Sequence, residues 1–257
     1  MKTNPSVNLL RERIIDEIFV AFKLPSNGRL RRLFGPLFRL PTQRFAEHFS
    51  AADEAIATEG MSGGCHVVVQ RFGIGLDVRG MDNLPERGPL LIVSNHPGAY
   101  DSVSIGSQVG RKDLKIIVFE TPFYHAMQHA DKQFIYVTPG RDTRMLAIRQ
   151  AVEHLQNGGA LLQFGSGLIE PDPALYADTE ETLKDWSPSI EIMLRKVPET
   201  KLVLTAVSGV LLRRFARSPL TGLVRGGINQ RRVAEFTQVI TQLISPKRVR
   251  VETRISF

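Results

Sequence analysis

Residues 90–102 read LLIVSNHPGAYDS, and the fold follows from how this stretch is parsed. Leu90 to Ser94 is a run of five apolar or small residues, which reads as a buried strand. Asn95, His96, Pro97 and Gly98 stop it, and Asp101 and Ser102 open a new element. A buried strand that delivers polar groups at its C-terminal end is how open α/β sheets place their chemistry. The polar pair here is His96 and Asp101, in the spacing H-x-x-x-x-D. The gap is one residue too long for side chains stacked one turn apart on a helix. It suits a His at the mouth of a helix and an Asp one turn inside. Pro97 fits the first helical position, where its missing N–H is not needed.

A neutral imidazole can take a proton from a hydroxyl. A carboxylate bonded to its other nitrogen fixes the tautomer and stabilises the imidazolium that forms. With no serine in the pattern, the nucleophile is the substrate's own hydroxyl. The same residues also fit a purely structural role, with His96 capping a helix and Asp101 a first-turn acid favoured by the dipole.

The chain has 257 residues, 42% hydrophobic and 23% charged, a globular composition large enough for one α/β domain with an appendage. A formal net charge of +7 and a pI of about 9.8 favour an anionic partner: nucleic acid, an anionic membrane surface or an acidic substrate. Cys65 is the single cysteine, which excludes an intrachain disulfide and a Cys-rich metal site and fits a reducing compartment. No apolar run is long enough to span a bilayer, and the N-terminal stretch lacks a clean signal-peptide core. These features predict a cytoplasmic protein.

Working outward from the key stretch, residues 6–23 predict an amphipathic helix through Leu10, Ile14, Ile18 and Phe22. In RLRRLFGPLFRL (29–40), arginines alternate with Leu and Phe, which suits either a membrane interface or a helix packed on the domain; Gly35-Pro36 interrupts any single long helix. Residues 42–59 predict another helix, with Phe45, Phe49, Ala52 and Ile56 on one face, ended by Gly60 to Gly64. HVVVQRF (66–72) and GIGLDVRG (73–80) read as two strands. Further strands are expected at 115–119, 133–137, 160–164, 201–207 and near 248–256. Helices are expected from Asp101 to Gly110, over 143–157, from Ser187 to Lys196 and over 230–244. Asp142 or Thr143 is the candidate cap of the second, and Met145, Ile148, Val152 and Leu155 its apolar stripe. The acids Glu170, Asp172, Asp178, Glu180 and Glu181 have no base among them and read as a solvated loop. The alternation predicts an α/β fold: a mostly parallel central sheet flanked by helices (63–257), with an N-terminal helical appendage (1–62) that is either a separate cap or a membrane-facing segment.

GLDVRGMDNLPERGPLLIVSNHPGAYDS (75–102) resembles the opening of a PlsC-like glycerolipid acyltransferase domain, in which a strand ends in N-H-x-x-x-x-D. FIYVTPGRDT (134–143) resembles that family's second block, with Arg141 as its arginine. GGALLQF (158–164) resembles the run into its third block, and KLVLTAVSGV (201–210) its fourth. The blocks fall in the family's order over roughly 74–212. The third block departs: where the family has F-P-E-G and often an arginine, this chain has Phe164, Gly165, Ser166, Gly167, Leu168 and Ile169. The usual proline of the fourth block is Thr205.

The resemblance implies an O-acyltransferase that moves a fatty acyl group from an acyl-CoA or acyl-carrier-protein thioester to a lipid hydroxyl. His96 is then the base and Asp101 its orienting carboxylate. Asn95, Arg141, Arg144, Gly165, Ser166 and Gly167 are the candidate substrate-binding residues, the Gly-Ser-Gly turn through backbone N–H groups free to face an anion. No metal or tightly held cofactor is expected, the thioester being a co-substrate. The basic N-terminal segment and the acid-free stretch 200–234 would hold the enzyme peripherally on anionic lipid. Since the third block lacks its charged pair, lysophosphatidate is a poor expected acceptor beside a lyso-aminolipid or lyso-glycolipid. The alternative is a non-catalytic lipid-binding protein on the same fold, motivated by the missing glutamate. Nucleic-acid binding rests on charge alone, since no zinc-finger spacing or RNA-binding aromatic motif is present. A hydrolase using Ser102 or Ser104 lacks the G-x-S-x-G elbow.

Overall fold

A computed structural model describes residues 5–21, 28–177, 179–222, 224 and 226–257. Two helices come first, α1 (Pro5–Ala21) and α2 (Gly28–Phe72). Leu10 and Ile18 are buried as the spacing predicts, while Phe22 lies outside the described residues. α2 runs through Gly35 and Pro36, contrary to the expected interruption, and breaks instead at Gly60. Gly60 has φ of 70°, and a Cβ there would stand 2.2 Å from the Lys112 carbonyl oxygen. Both the turn and the close approach require glycine. The side chains of 29–37, on which the interface reading of that segment rests, lie outside the described residues.

The largest correction concerns 66–72. The HVVVQRF run is the last part of α2, not a strand. Met61, Cys65, Val68, Val69 and Phe72 are buried, and His66, Gln70 and Arg71 exposed, which is a helical stripe and not an alternation. Packing on the sheet's helical layer overrides the β preference of three consecutive valines.

The α/β part follows: β1 (Gly75–Arg79), β2 (Leu90–Ser94), α3 (Asp101–Val109), β3 (Leu114–Phe119), α4 (Pro122–His125), β4 (Phe134–Val137), α5 (Arg141–Gln156) and β5 (Ala160–Phe164). Then come α6 (Ser189–Lys196), β6 (Lys201–Ser208), α7 (Arg213–Ala216), α8 (Pro219–Gly222), α9 (Gly227–Ile244) and β7 (Glu252–Ser256). The strands form one seven-stranded sheet in the order β1-β7-β6-β2-β5-β3-β4. β6, β2, β5, β3 and β4 are parallel; β7 is antiparallel to β6 and carries β1 parallel to itself at the edge.

β2 lies between β5 and β6, and all its residues are buried. Leu90 and Ile92 face one hydrophobic cluster, Leu91 and Val93 the other. A strand covered on both faces explains the continuous apolar run. The first cluster also takes in Val7 and Leu10 of α1 and Ala46, Ala52 and Ile56 of α2, so the N-terminal helices share the core of the sheet. No described helix is long and apolar enough to cross a membrane.

Two features of α5 differ from expectation. Gly140 is its N-cap, and neither Asp142 nor Thr143 caps it; the Thr143 hydroxyl donates back to the Thr138 and Gly140 carbonyls. Its buried face is Ala147, Ala151 and Leu155, with Met145 exposed. The small alanines let the helix lie close to the sheet; of the expected stripe Leu155 is buried and Ile148 and Val152 are half-buried.

Candidate active site

β2 delivers Asn95 and His96 between the C-terminal ends of β6 and β5, where Val207 bonds Asn95 and Phe164 stacks on His96. Pro97 is in the loop after β2, not the first helical residue; α3 begins at Asp101 itself. His96 therefore reaches Asp101 across a four-residue loop, and the contact is made: Nδ1 donates to Asp101 Oδ2 at 2.7 Å. The same Oδ2 accepts the Gly98 N–H at 2.9 Å, and Oδ1 accepts the Ser102 N–H. Asp101 is fully buried, so it both ties the loop to α3 and orients the imidazole. The structural and the chemical reading of this carboxylate coexist.

The His96 ring stacks on Phe164 from β5, with centroids 4.2 Å apart and planes 20° from parallel. With Nδ1–H given to Asp101, Nε2 holds the free lone pair, and His96 lines a cavity of about 470 Å³. Ile117, Val118, Val137, Ala147, Ile148 and Met193 form its apolar walls, and Ser166, Ser187 and Ser189 contribute hydroxyls. Burial alone would lower the His96 pKa. The charge and hydrogen bond of Asp101, with the charges of Glu235 and Glu170, outweigh it and hold the imidazole above its ordinary value.

The other candidates divide. Arg144 lines the cavity, but Arg141, at the first residue of α5, is exposed and is not among its lining residues. Asn95 is turned to β6: its Nδ2 donates to the Val207 carbonyl at 2.9 Å and its Oδ1 accepts the Val207 N–H at 2.8 Å. It clamps two strand ends and has its amide already engaged. In the Gly-Ser-Gly turn, both glycine N–H groups are already engaged. The Gly165 N–H donates to the Ser94 carbonyl, the Gly167 N–H to the Phe164 carbonyl and the Leu168 N–H to Ser166 Oγ. Gly165 also lies flat against Trp186, where a Cβ would come within 2.1 Å of the indole. Ser166 and Gly167 do line the cavity, so what the turn presents there includes a hydroxyl.

Sequence reading missed two buried acids. Glu170 is 4% exposed and Asp172 0%, where a solvated loop was expected. The Glu170 N–H donates to the His96 carbonyl at 2.7 Å; its Oε1 accepts the Ser166 hydroxyl at 2.6 Å and its Oε2 the Thr182 hydroxyl at 3.2 Å. Asp172 accepts the N–H groups of Ala174, Gly209 and Leu211. Arg231 of α9 donates to the Ile169 carbonyl at 3.0 Å. Each acid precedes a proline, immediately beyond the strand end that reaches the site. That position was the available signal, outweighed by the acids that follow. Tyr100 and Gln242 were also missed: the Tyr100 hydroxyl donates to Gln242 Oε1 at 2.6 Å, locking the loop after His96 to α9.

The model of the acyltransferase family matches residues 75–197, spanning His96, Asp101, Phe164 and Glu170. No curated protein matches the chain. Among solved structures, the 1-acyl-sn-glycerophosphate (LPA) acyltransferase PlsC from Thermotoga maritima aligns with a TM-score of 0.42 and 15% identity, over 78% of this chain and 72% of that one.

Proposed function

Because residues 75–197 match the model of the acyltransferase family, we propose that this protein moves a fatty acyl group from a thioester, on CoA or a carrier protein, to the hydroxyl of a single-chain lipid. The observation that carries the reading is the His96–Asp101 bond of 2.7 Å, with His96 lining an apolar-walled cavity. His96 Nε2 takes the hydroxyl proton as the oxygen attacks the thioester carbonyl. Asp101 stabilises the imidazolium. The tetrahedral intermediate collapses, the C–S bond breaks, and the departing sulfur takes the proton back from His96. The acyl chain of the donor fits the wall made by β3, α5 and α6.

The acceptor follows from charge. Among the described residues, Arg144 is the one arginine or lysine lining the cavity, while Glu170 and Glu235 act electrostatically on His96. A phosphate monoester needs several converging donors, and losing one charged contact weakens binding by roughly 1.5–3 kcal/mol. A lyso-aminolipid or lyso-glycolipid is the better acceptor. The test is incubation with labelled acyl-CoA and a panel of lysolipids, with products read by mass spectrometry. Lysophosphatidate turned over above every other acceptor would refute the acceptor assignment. No product with any acceptor or either donor would favour the non-catalytic lipid-binding alternative.

A further inference from the structure

A second cavity, of about 270 Å³, runs between α1, α2 and α9 and shares no lining residue with the one at His96. Its walls include Ile14 and Ile18 of α1, Phe38 and Phe45 of α2, and Phe236 and Ile240 of α9. It reaches the catalytic loop at Ala99, three residues past His96. Its polar side chains are few among the described residues. Thr42 gives its hydroxyl to the Phe38 carbonyl at 2.6 Å. That leaves Arg232 and Glu235, neighbours one turn apart on α9.

Glu235 packs directly on the loop: a Cβ on Gly98 would lie 2.6 Å from its Oε1. That oxygen is buried and has no hydrogen-bond partner among the described residues. A buried acceptor without a donor is costly, and such groups are normally paired. Burial first, then the neighbouring Asp101, pushes the carboxyl up to about 8, against the pull of His96, Arg231 and Arg232. Among the described residues the groove is thus hydrocarbon along its length, with one carboxyl and one guanidinium together where α9 meets the loop. That is the complement of a single-chain amphiphile whose head carries a nitrogen donor and an anionic group.

We propose that this groove seats the acceptor lipid, its chain along α1, α2 and α9 and a nitrogen donor of its head group on Glu235. The proposal rests on the acyltransferase reading. Transfer between two lipids needs two apolar chains to meet at one base. The cavity at His96 holds the donor's chain, and the groove brings the acceptor's chain to the same loop from the side of the N-terminal helices.

The experiment is equilibrium binding to the full chain, below lipid aggregation. The probes are lysophosphatidylethanolamines of increasing chain length, lysophosphatidate, and a non-hydrolysable thioether analogue of acyl-CoA. Wild-type affinity for lysophosphatidylethanolamine should rise with each added methylene. Ile240→Trp should weaken it at least tenfold while changing thioether binding less than twofold. Glu235→Gln should narrow the preference over lysophosphatidate at least threefold. The proposal is overturned if wild-type affinity ignores chain length, if folded Ile240→Trp weakens the thioether instead, or if Glu235→Gln leaves the preference intact. If Ile240→Trp does not fold, the chain-length series and Glu235→Gln decide. Acyl transfer is read separately. Lysolipid binding with this pattern but no transfer refutes the enzymatic reading and leaves the groove assignment standing. Transfer with a groove that ignores lysolipids does the reverse.

Discussion

Glu170 stands four residues after Ser166 and accepts its hydroxyl at 2.6 Å, while its own N–H bonds the His96 carbonyl. The chain lacks a carboxylate at the position of the serine and supplies one beside it by folding the loop back. The acid is therefore part of the site in space, though displaced in sequence.

Glu170→Gln keeps an acceptor for Ser166 and removes the negative charge. The base must be neutral to work, and a raised His96 pKa pushes the acid limb of activity upward. Wild-type kcat/KM should fall on acidification with a midpoint above 6.5, the ordinary imidazole value. In Glu170→Gln the midpoint should move down. An unmoved limb would mean that Glu170 serves only to hold the loop.

Stability should respond to pH in the opposite sense. A group whose pKa is raised on folding contributes stability in full below its unfolded value and loses it as pH rises through the folded value. The His96–Asp101 pair should thus stabilise most below pH 6.5, and less as pH climbs past the raised folded pKa. The difference between wild type and His96→Gln in chemical denaturation, followed against pH, measures this. A difference that grows with pH would contradict the assigned shift.

Gly165→Ala should be costly, because its Cβ meets the Trp186 ring and not a flexible side-chain end. Overpacking of this kind costs about 1–3 kcal/mol. Trp186 is the single tryptophan, so its fluorescence reports the displacement directly. An unchanged spectrum and unchanged stability would show that the indole moves aside freely.

Peripheral binding to anionic vesicles is expected through residues 6–40 and the basic stretch 200–234. Arg213, Arg214 and Arg217 are exposed beside Leu220, which is 52% exposed. Well-placed bases contribute about 1 kcal/mol each near an anionic surface. Raised salt should release only part of the protein, since apolar side chains also insert. Cosedimentation that ignores anionic lipid at low salt would remove both segments from the membrane.

The parallel core was legible because β2 and β5 are buried on both faces and so read as short, largely apolar runs, Gln163 being the polar residue within β5. The His96–Asp101 pair was legible because both partners flank one loop. Local pattern misled where packing decides: Val67, Val68 and Val69 form a helix because Cys65 and Phe72 complete its buried stripe. The backbone of the Gly-Ser-Gly turn could not be read, because the Gly165 and Gly167 N–H groups find partners on β2 and at the end of β5. Glu235 was invisible for a different reason. It comes from α9, 139 positions after His96, and only the folded chain lays it against Gly98.

The most direct test is acyl transfer by His96→Ala, measured with the best thioester and acceptor, beside its thermal unfolding. The account expects a variant that unfolds as a single folded species and turns over about 10²–10⁴-fold more slowly. A folded His96→Ala protein with near wild-type turnover would contradict it, and would leave the 2.7 Å bond to Asp101 a matter of loop structure alone.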